Sequence, residues 1–135
     1  MTAFENSTYY KTAVPLSPTN EKLAAALEWH YDLSKLNIPV FLLAGTEGDF
    51  EMKTVISEED MKRMYDSIPS PKVMARKLEC EHGDMLYSAD GCVTAWLLWQ
   101  LQNDETAASA FTGDAPEILN NPLYRAQKID LVPDN

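Results

Sequence analysis

Basic residues are scarce in this chain. Of its 135 residues, 11 are Lys or Arg and 21 are Asp or Glu, which gives a formal net charge of −10. Nucleic-acid binding needs clustered Lys and Arg, and anionic membrane surfaces attract the same residues. We therefore expect no nucleic acid and no membrane among the partners of this protein.

Cysteine and long apolar runs are also rare. The two cysteines, Cys80 and Cys92, are too few for a disulfide framework, and we interpret both as free thiols, although the sequence alone leaves their pairing open. No apolar run approaches the ~20 residues that span a bilayer. The opening MTAFENSTYYK lacks the basic and apolar regions of a signal peptide, so the chain as written is expected to be cytoplasmic.

The length suits one domain, in which helical and strand patterns alternate. Residues 1–16 have no clear period and form an irregular lead-in, and a helix is predicted from Ser17-Pro18 to Leu36-Asn37. The continuous apolar run Ile38–Gly45 predicts a strand that is buried on both faces.

The second half of the chain continues this alternation. Ser57 with Asp60 predicts a helix N-terminus, which is followed by a strand over Val73–Leu78, a helix over residues 91–102 and a short helix capped by Asp104. Residues 125–135 are assigned to a tail. The predicted class is α/β with parallel strands. Since two strands make a poor sheet, the chain resembles one end of a larger one.

Two polar clusters follow the two predicted strands. Asp49 lies in GTEGD after the first strand, and His82 lies in CEHGD after the second. Active sites of open α/β sheets gather at the carboxyl ends of the strands. A carboxylate there can orient an imidazole and stabilise its protonated form, so Asp49 and His82 are the candidate catalytic residues.

Four stretches resemble the C-terminal half of α/β-hydrolases of the dienelactone hydrolase, chlorophyllase and cutinase-like polyester hydrolase type. They are IPVFLLAGTEGD, MYDSIPSPKVMARKLECEHGD, VTAWLLWQLQNDETAASAF and GDAPEILNNPLY, which together cover residues 38–124 within a domain placed at residues 17–124. The resemblance implies that Asp49 is the acid and His82 the base of a Ser-His-acid triad. It also implies hydrolysis of carboxylic esters without a cofactor.

The nucleophile of that family has no counterpart in this chain. It lies in a G-x-S-x-G turn upstream of the acid, and none of the five glycines, at 45, 48, 83, 91 and 113, frames a serine in this pattern. Ser88 follows His82 without such a context and is not expected to act. The isolated chain is therefore expected to be inactive on esters.

Other chemistries are less well supported by the sequence. Glu79, Cys80, Glu81, His82 and Asp84 could in principle bind a metal, but neighbours in an extended segment point in alternate directions, so no metal site is predicted. Cys80 lies too close to His82 in sequence for a nucleophile. Asp49 and Glu51 could be imagined as a glycosidase pair, although nothing sets their separation. Trp96 and Trp99 have the helical spacing of core residues rather than of a sugar platform.

Two functions remain open. In the first, the chain is part of a serine esterase, with a small-molecule ester as substrate and a complementing N-terminal half supplying the nucleophile. In the second, it is a non-catalytic α/β module that associates with a partner chain or forms a homodimer, because its buried strand has too few neighbours.

Overall fold

A computed structural model describes residues 8–132, in which helices surround a small mixed sheet. The strands are β1 (Val40–Gly45), β2 (Lys72–Lys77) and β3 (Tyr124–Asp130), in the spatial order β1-β2-β3. The α-helices are α1 (Glu21–Ala26), α2 (Glu58–Ser67), α3 (Met85–Ser88), α4 (Asp90–Gln102), α5 (Glu105–Ala108) and α6 (Glu117–Asn120). Short 3₁₀ turns cover Leu33–Lys35 and His82–Asp84, and a π-helix covers Phe50–Val55.

The parallel pair and its helices agree with the sequence pattern. β1 and β2 pair in parallel, with Val40 opposite Lys72 and Gly45 opposite Lys77. Ser57 caps α2 by accepting a hydrogen bond from the N–H of Asp60 at 3.1 Å. The predicted α/β class with parallel strands is therefore correct at this level of detail.

The sheet has one strand more than the sequence predicted. Residues 124–130, most of which were assigned to the tail, form β3, which runs antiparallel to β2 with Tyr124 opposite Lys77. A bulge places Ala126 at a φ of 53°. Only Tyr124 of β3 is buried, and its other residues are exposed or half-buried, as is typical of an edge strand. Without a clear apolar alternation, the strand was not recognised among the polar residues of the chain end. Residues 133–135 lie outside the described range.

The first helix is much shorter than predicted. It begins after Asn20, whose side chain accepts hydrogen bonds from the N–H groups of Lys22 and Leu23, and it ends at Ala26. Glu28 then takes a left-handed φ of 61°, which ends the helix because the backbone turns away from its axis. His30, which falls within the predicted helix, is exposed in the irregular segment beyond it.

The end of the lead-in lies along the free edge of β1. Ala13 and Leu16 form parallel bridges with Val40 and Leu43 of that strand. The N–H of Ser17 donates to the carbonyl of Leu43 at 2.7 Å. Residues 13–17 therefore act as an additional, irregular neighbour of β1, while residues 1–7 lie outside the described range.

Two apolar clusters cover the two faces of the sheet. One joins Val40, Leu42 and Ala44 to helix α2, and the other joins Phe41 and Leu43 to helix α4. Within the second cluster, Trp96 is fully buried and its ring lies 5.5 Å from that of Phe41. Both faces of β1 are thus covered, as its continuous apolar sequence predicts. Within residues 8–132 we find no helix with the length and apolarity needed to span a membrane.

Candidate active site

Glu51 is a fully buried carboxylate at the carboxyl end of β1. It lies in the first turn of the π-helix, and its side chain turns inward towards the sheet. Oε1 accepts a hydrogen bond from Ser17 Oγ at 2.6 Å and from the N–H of Gly45 at 2.7 Å. Two donors on one oxygen fix the orientation of the carboxylate and leave Oε2 available for another partner.

His82 lies at the carboxyl end of the neighbouring strand β2. It opens a 3₁₀ turn in which Glu81 and Asp84 form a reciprocal capping box. The N–H of Glu81 donates to Asp84 Oδ2 at 3.3 Å. This local network fixes the turn that carries the imidazole.

The side chains of Glu51 and His82 meet directly. His82 Nδ1 lies 2.9 Å from Glu51 Oε2. An ionised carboxylate only accepts hydrogen bonds, so a neutral imidazole facing one at this distance holds its proton on Nδ1 and has Nε2 as its basic nitrogen. The His82 side chain is 42% exposed. The arrangement suits an oriented general base on a partly exposed imidazole.

Phe50 covers one side of this imidazole. Its ring lies 5.2 Å from that of His82, with the two planes at 89°. An edge-to-face contact of this kind restricts rotation of the imidazole. The Phe50 side chain is itself largely exposed, so the pair lies at the surface of the described chain.

The two loops that carry the pair are joined at Gly45 and Cys80. The carbonyl of Cys80 accepts hydrogen bonds from the N–H groups of Thr46 and Glu47, each at 3.0 Å. A β-carbon at Gly45 would lie 2.1 Å from that same carbonyl oxygen. Only glycine allows this approach, which draws the His82 loop against the end of β1.

Asp49 does not contact His82, which corrects the predicted pairing. Its side chain is 84% exposed and forms an ion pair with Lys53 at 2.9 Å. The inward position belongs to Glu51 because residues 50–55 are helical, and the helix directs Glu51 and Val55 to the same buried side. A helical interpretation of this segment, with Glu51 four residues before the apolar Val55, would have located the acid. Asp49 and Glu51, considered from the sequence as a glycosidase pair, therefore differ in environment, because Asp49 is exposed and Glu51 is buried.

The remaining candidates have other partners. The Cys80 thiol is buried and points towards Met85 Sδ at 3.4 Å, and burial raises its pKa. Ser88 is exposed on α3, where its side chain interacts with the Cys80 thiol. Cys80 and Cys92 are both free. Among the described residues, no group of three or more His, Cys, Asp or Glu is arranged to hold a metal ion.

Trp96 and Trp99 belong to the apolar cluster on the α4 side of the sheet. Trp96 Nε1 donates to Thr12 Oγ1 at 2.7 Å, and the Trp99 ring stacks on Phe111 at 5.9 Å. The helical spacing had predicted this packing role. Comparison with known proteins adds no assignment, since no protein-family model and no curated protein matches the chain.

Proposed function

We propose that this chain forms part of a serine hydrolase acting on carboxylic esters, with His82 as the general base and Glu51 as the acid that orients it. The observation that carries the proposal is the 2.9 Å contact between His82 Nδ1 and the buried Glu51 Oε2, on an imidazole whose side chain is 42% exposed. Asp49, the acid implied by the family resemblance, is replaced by Glu51 in this assignment because only Glu51 contacts the imidazole.

The roles follow from the tautomer that the contact imposes. His82 Nε2 would accept the proton of a serine hydroxyl as its oxygen attacks the ester carbonyl, and it would later return that proton to the departing alkoxide. Glu51 would stabilise the imidazolium formed between these steps. The serine and the donors that stabilise the oxyanion must come from a complementing segment, because this sequence contains no G-x-S-x-G. No cofactor is required.

The test begins with the DNA upstream of the Met1 codon. An in-frame extension encoding G-x-S-x-G after an apolar strand would supply the complete enzyme, which we would assay on p-nitrophenyl butyrate. We expect His82→Ala to lower kcat by about 10⁶-fold and Glu51→Gln by about 10⁴-fold, as the loss of the base and of the acid of a triad does elsewhere. Asp49→Asn is the matched control and is expected to leave kcat unchanged. Normal activity in His82→Ala would rule the proposal out.

A second candidate function is supported by the free edge of the lead-in. Residues 13, 15 and 17 bond to β1, so Val14 and Leu16 direct their N–H and C=O groups away from it. Within residues 8–132 these outward groups form no hydrogen bond. Unpaired strand edges accept strands from other chains. A non-catalytic module that binds a partner chain would use this edge.

Solution measurements separate the two functions. Sedimentation of the chain over a range of concentrations reports self-association, and amide hydrogen exchange reports whether the N–H groups of Val14 and Leu16 become protected. Protection in a complex whose partner has no serine turn would favour the module. Fast exchange of both groups in a monomer at all concentrations would contradict it.

A further inference from the structure

Arg76 is a buried cation beneath the candidate active site. It lies on β2, is fully buried, and is not required by the chemistry proposed above. Nη1 donates to the carbonyl of Gly45 at 2.6 Å and lies 3.3 Å from Met52 Sδ, while Nη2 donates to the carbonyl of Ile56. One guanidinium thus contacts three points of the segment from Gly45 to Ile56.

These contacts bracket the segment that carries Glu51. Gly45 is the last residue of β1, and Ile56 is the first residue after the π-helix. Both also contact Glu51, since Gly45 N–H donates to its Oε1 and Ile56 N–H donates to its main-chain oxygen at 2.9 Å. The planar fork of Arg76 therefore holds both ends of the loop, which a single-point donor such as lysine cannot do.

The charge of Arg76 has a use in the same place. The Glu51 carboxylate is removed from water, and an isolated buried anion is strongly destabilised unless a cation or hydrogen bonds compensate it. Its donors Ser17 and Gly45 are neutral, and His82 is neutral in the form that acts as a base. Burial lowers the pKa of Arg76, and Glu51 is the foremost charge that opposes this effect.

The other charges that act on Arg76 are Glu58 and Arg125. Their side chains are about half exposed and form an ion pair with each other at 2.6 Å. Arg76 Nε is buried without a hydrogen-bond partner among the described residues. A methionine would fill this volume without leaving a buried donor unpaired, so packing alone does not account for the guanidinium.

We propose that Arg76 is a positioning residue for the Glu51–His82 pair, which holds both ends of the Glu51 segment and keeps the buried carboxylate ionised. The inference rests on the proposed function for the use of the pair, although its effect is visible in the pair itself. Without this cation, the buried carboxyl group would take up a proton and would no longer stabilise an imidazolium.

The test is infrared spectroscopy of the chain near neutral pH, in the region of the carbonyl stretch of protonated carboxyl groups. Arg76→Met is expected to produce a protonated-carboxyl band that is absent from the wild type, and the band should disappear in the double variant Arg76→Met, Glu51→Gln. Arg76→Lys retains the charge and is expected to lack the band. A purely structural role would lower stability without the band, so a folded Arg76→Met chain lacking it would overturn the proposal.

A second measurement is available if Arg76→Met does not fold. The His82 Nδ1 proton, bonded to a carboxylate, should give a downfield proton NMR signal in the wild type. Arg76→Lys holds one loop end only, and we expect that signal to broaden or disappear, whereas an unchanged signal would refute the positioning role. Neither the infrared band nor the NMR signal requires a substrate. A failed esterase assay would therefore refute the proposed function alone, and a failed readout here would refute only the role of Arg76.

Discussion

The backbone of Gly45 contacts the carbonyl of Cys80 so closely that a β-carbon on Gly45 would lie 2.1 Å from that oxygen. This contact joins the end of β1 to the loop that presents His82. It also explains how two residues 31 positions apart, Glu51 and His82, come within hydrogen-bonding distance. The site depends on backbone proximity as much as on the two side chains.

Substitution of Gly45 is expected to separate these loops. Gly45→Ala should lower the free energy of unfolding by about 1–3 kcal/mol, because a backbone must shift to admit the methyl group. Urea unfolding gives the change, and the His82 Nδ1 proton signal reports the pair. The control is Gly83→Ala, where an added β-carbon has nothing within 4 Å. Equal stability of the two variants would contradict the close contact.

Ser17 is expected to stabilise the chain through its bond to Glu51. Ser17→Ala removes a buried donor to a carboxylate, and hydrogen bonds to charged groups contribute about 1.5–3 kcal/mol. We expect a loss of that size in urea unfolding. Ser34→Ala is the matched control because that hydroxyl is exposed. A loss no greater than that of the control would show that Glu51 does not depend on Ser17.

Tyr31 predicts a decline of stability at alkaline pH. Its hydroxyl donates to the carbonyl of Thr19 at 2.7 Å, and burial, aided by Glu21, raises its pKa from 10.0 to about 12. Below pH 10 the phenol is protonated in both states, so its contribution is complete. Between pH 10 and about 12 only the unfolded chain loses the proton, and unfolding becomes easier.

The measurement is the free energy of unfolding against pH for the wild type and Tyr31→Phe. At neutral pH, the free energy of unfolding of Tyr31→Phe should be about 1 kcal/mol lower than that of the wild type, because the variant lacks the hydrogen bond to Thr19. Its decline above pH 10 should be shallower than that of the wild type. Tyr9→Phe alters an exposed ring and should follow the wild type throughout. Parallel curves for the wild type and Tyr31→Phe would show that the Tyr31 phenol is not shifted.

The two thiols are expected to react slowly in the folded chain. Burial raises the pKa of both Cys80 and Cys92, so little thiolate forms near pH 8. Ellman's reagent should label neither quickly in buffer and both in denaturant, with the native rate increasing as the pH rises. Rapid labelling of Cys80 at pH 8 would indicate an activated thiol and would support Cys80 as a nucleophile, against the argument from its sequence position.

Local signals predicted two of the helix starts correctly. The Ser57 cap and the Asp104 cap are present, because each side chain accepts from an N–H in the first helical turn. The predicted length of the first helix was wrong, because the left-handed backbone of Glu28 ends the helix and no glycine in the sequence marks that turn. β3 was missed because most of its residues are polar and show no clear apolar alternation. Its partner, β2, also lies more than 40 residues away in sequence.

The amino-acid sequence by itself determined the α/β alternation, the burial of β1 on both faces and the location of His82 after β2, since these follow from local periodicity and from chain order. Tertiary structure alone decided which carboxylate meets His82. That choice depends on the π-helix that turns Glu51 inward, on the Gly45–Cys80 contact and on the buried Arg76. The last two join residues distant in sequence, and the acidic pattern of the loop did not by itself show that the loop is helical and directs Glu51 inward.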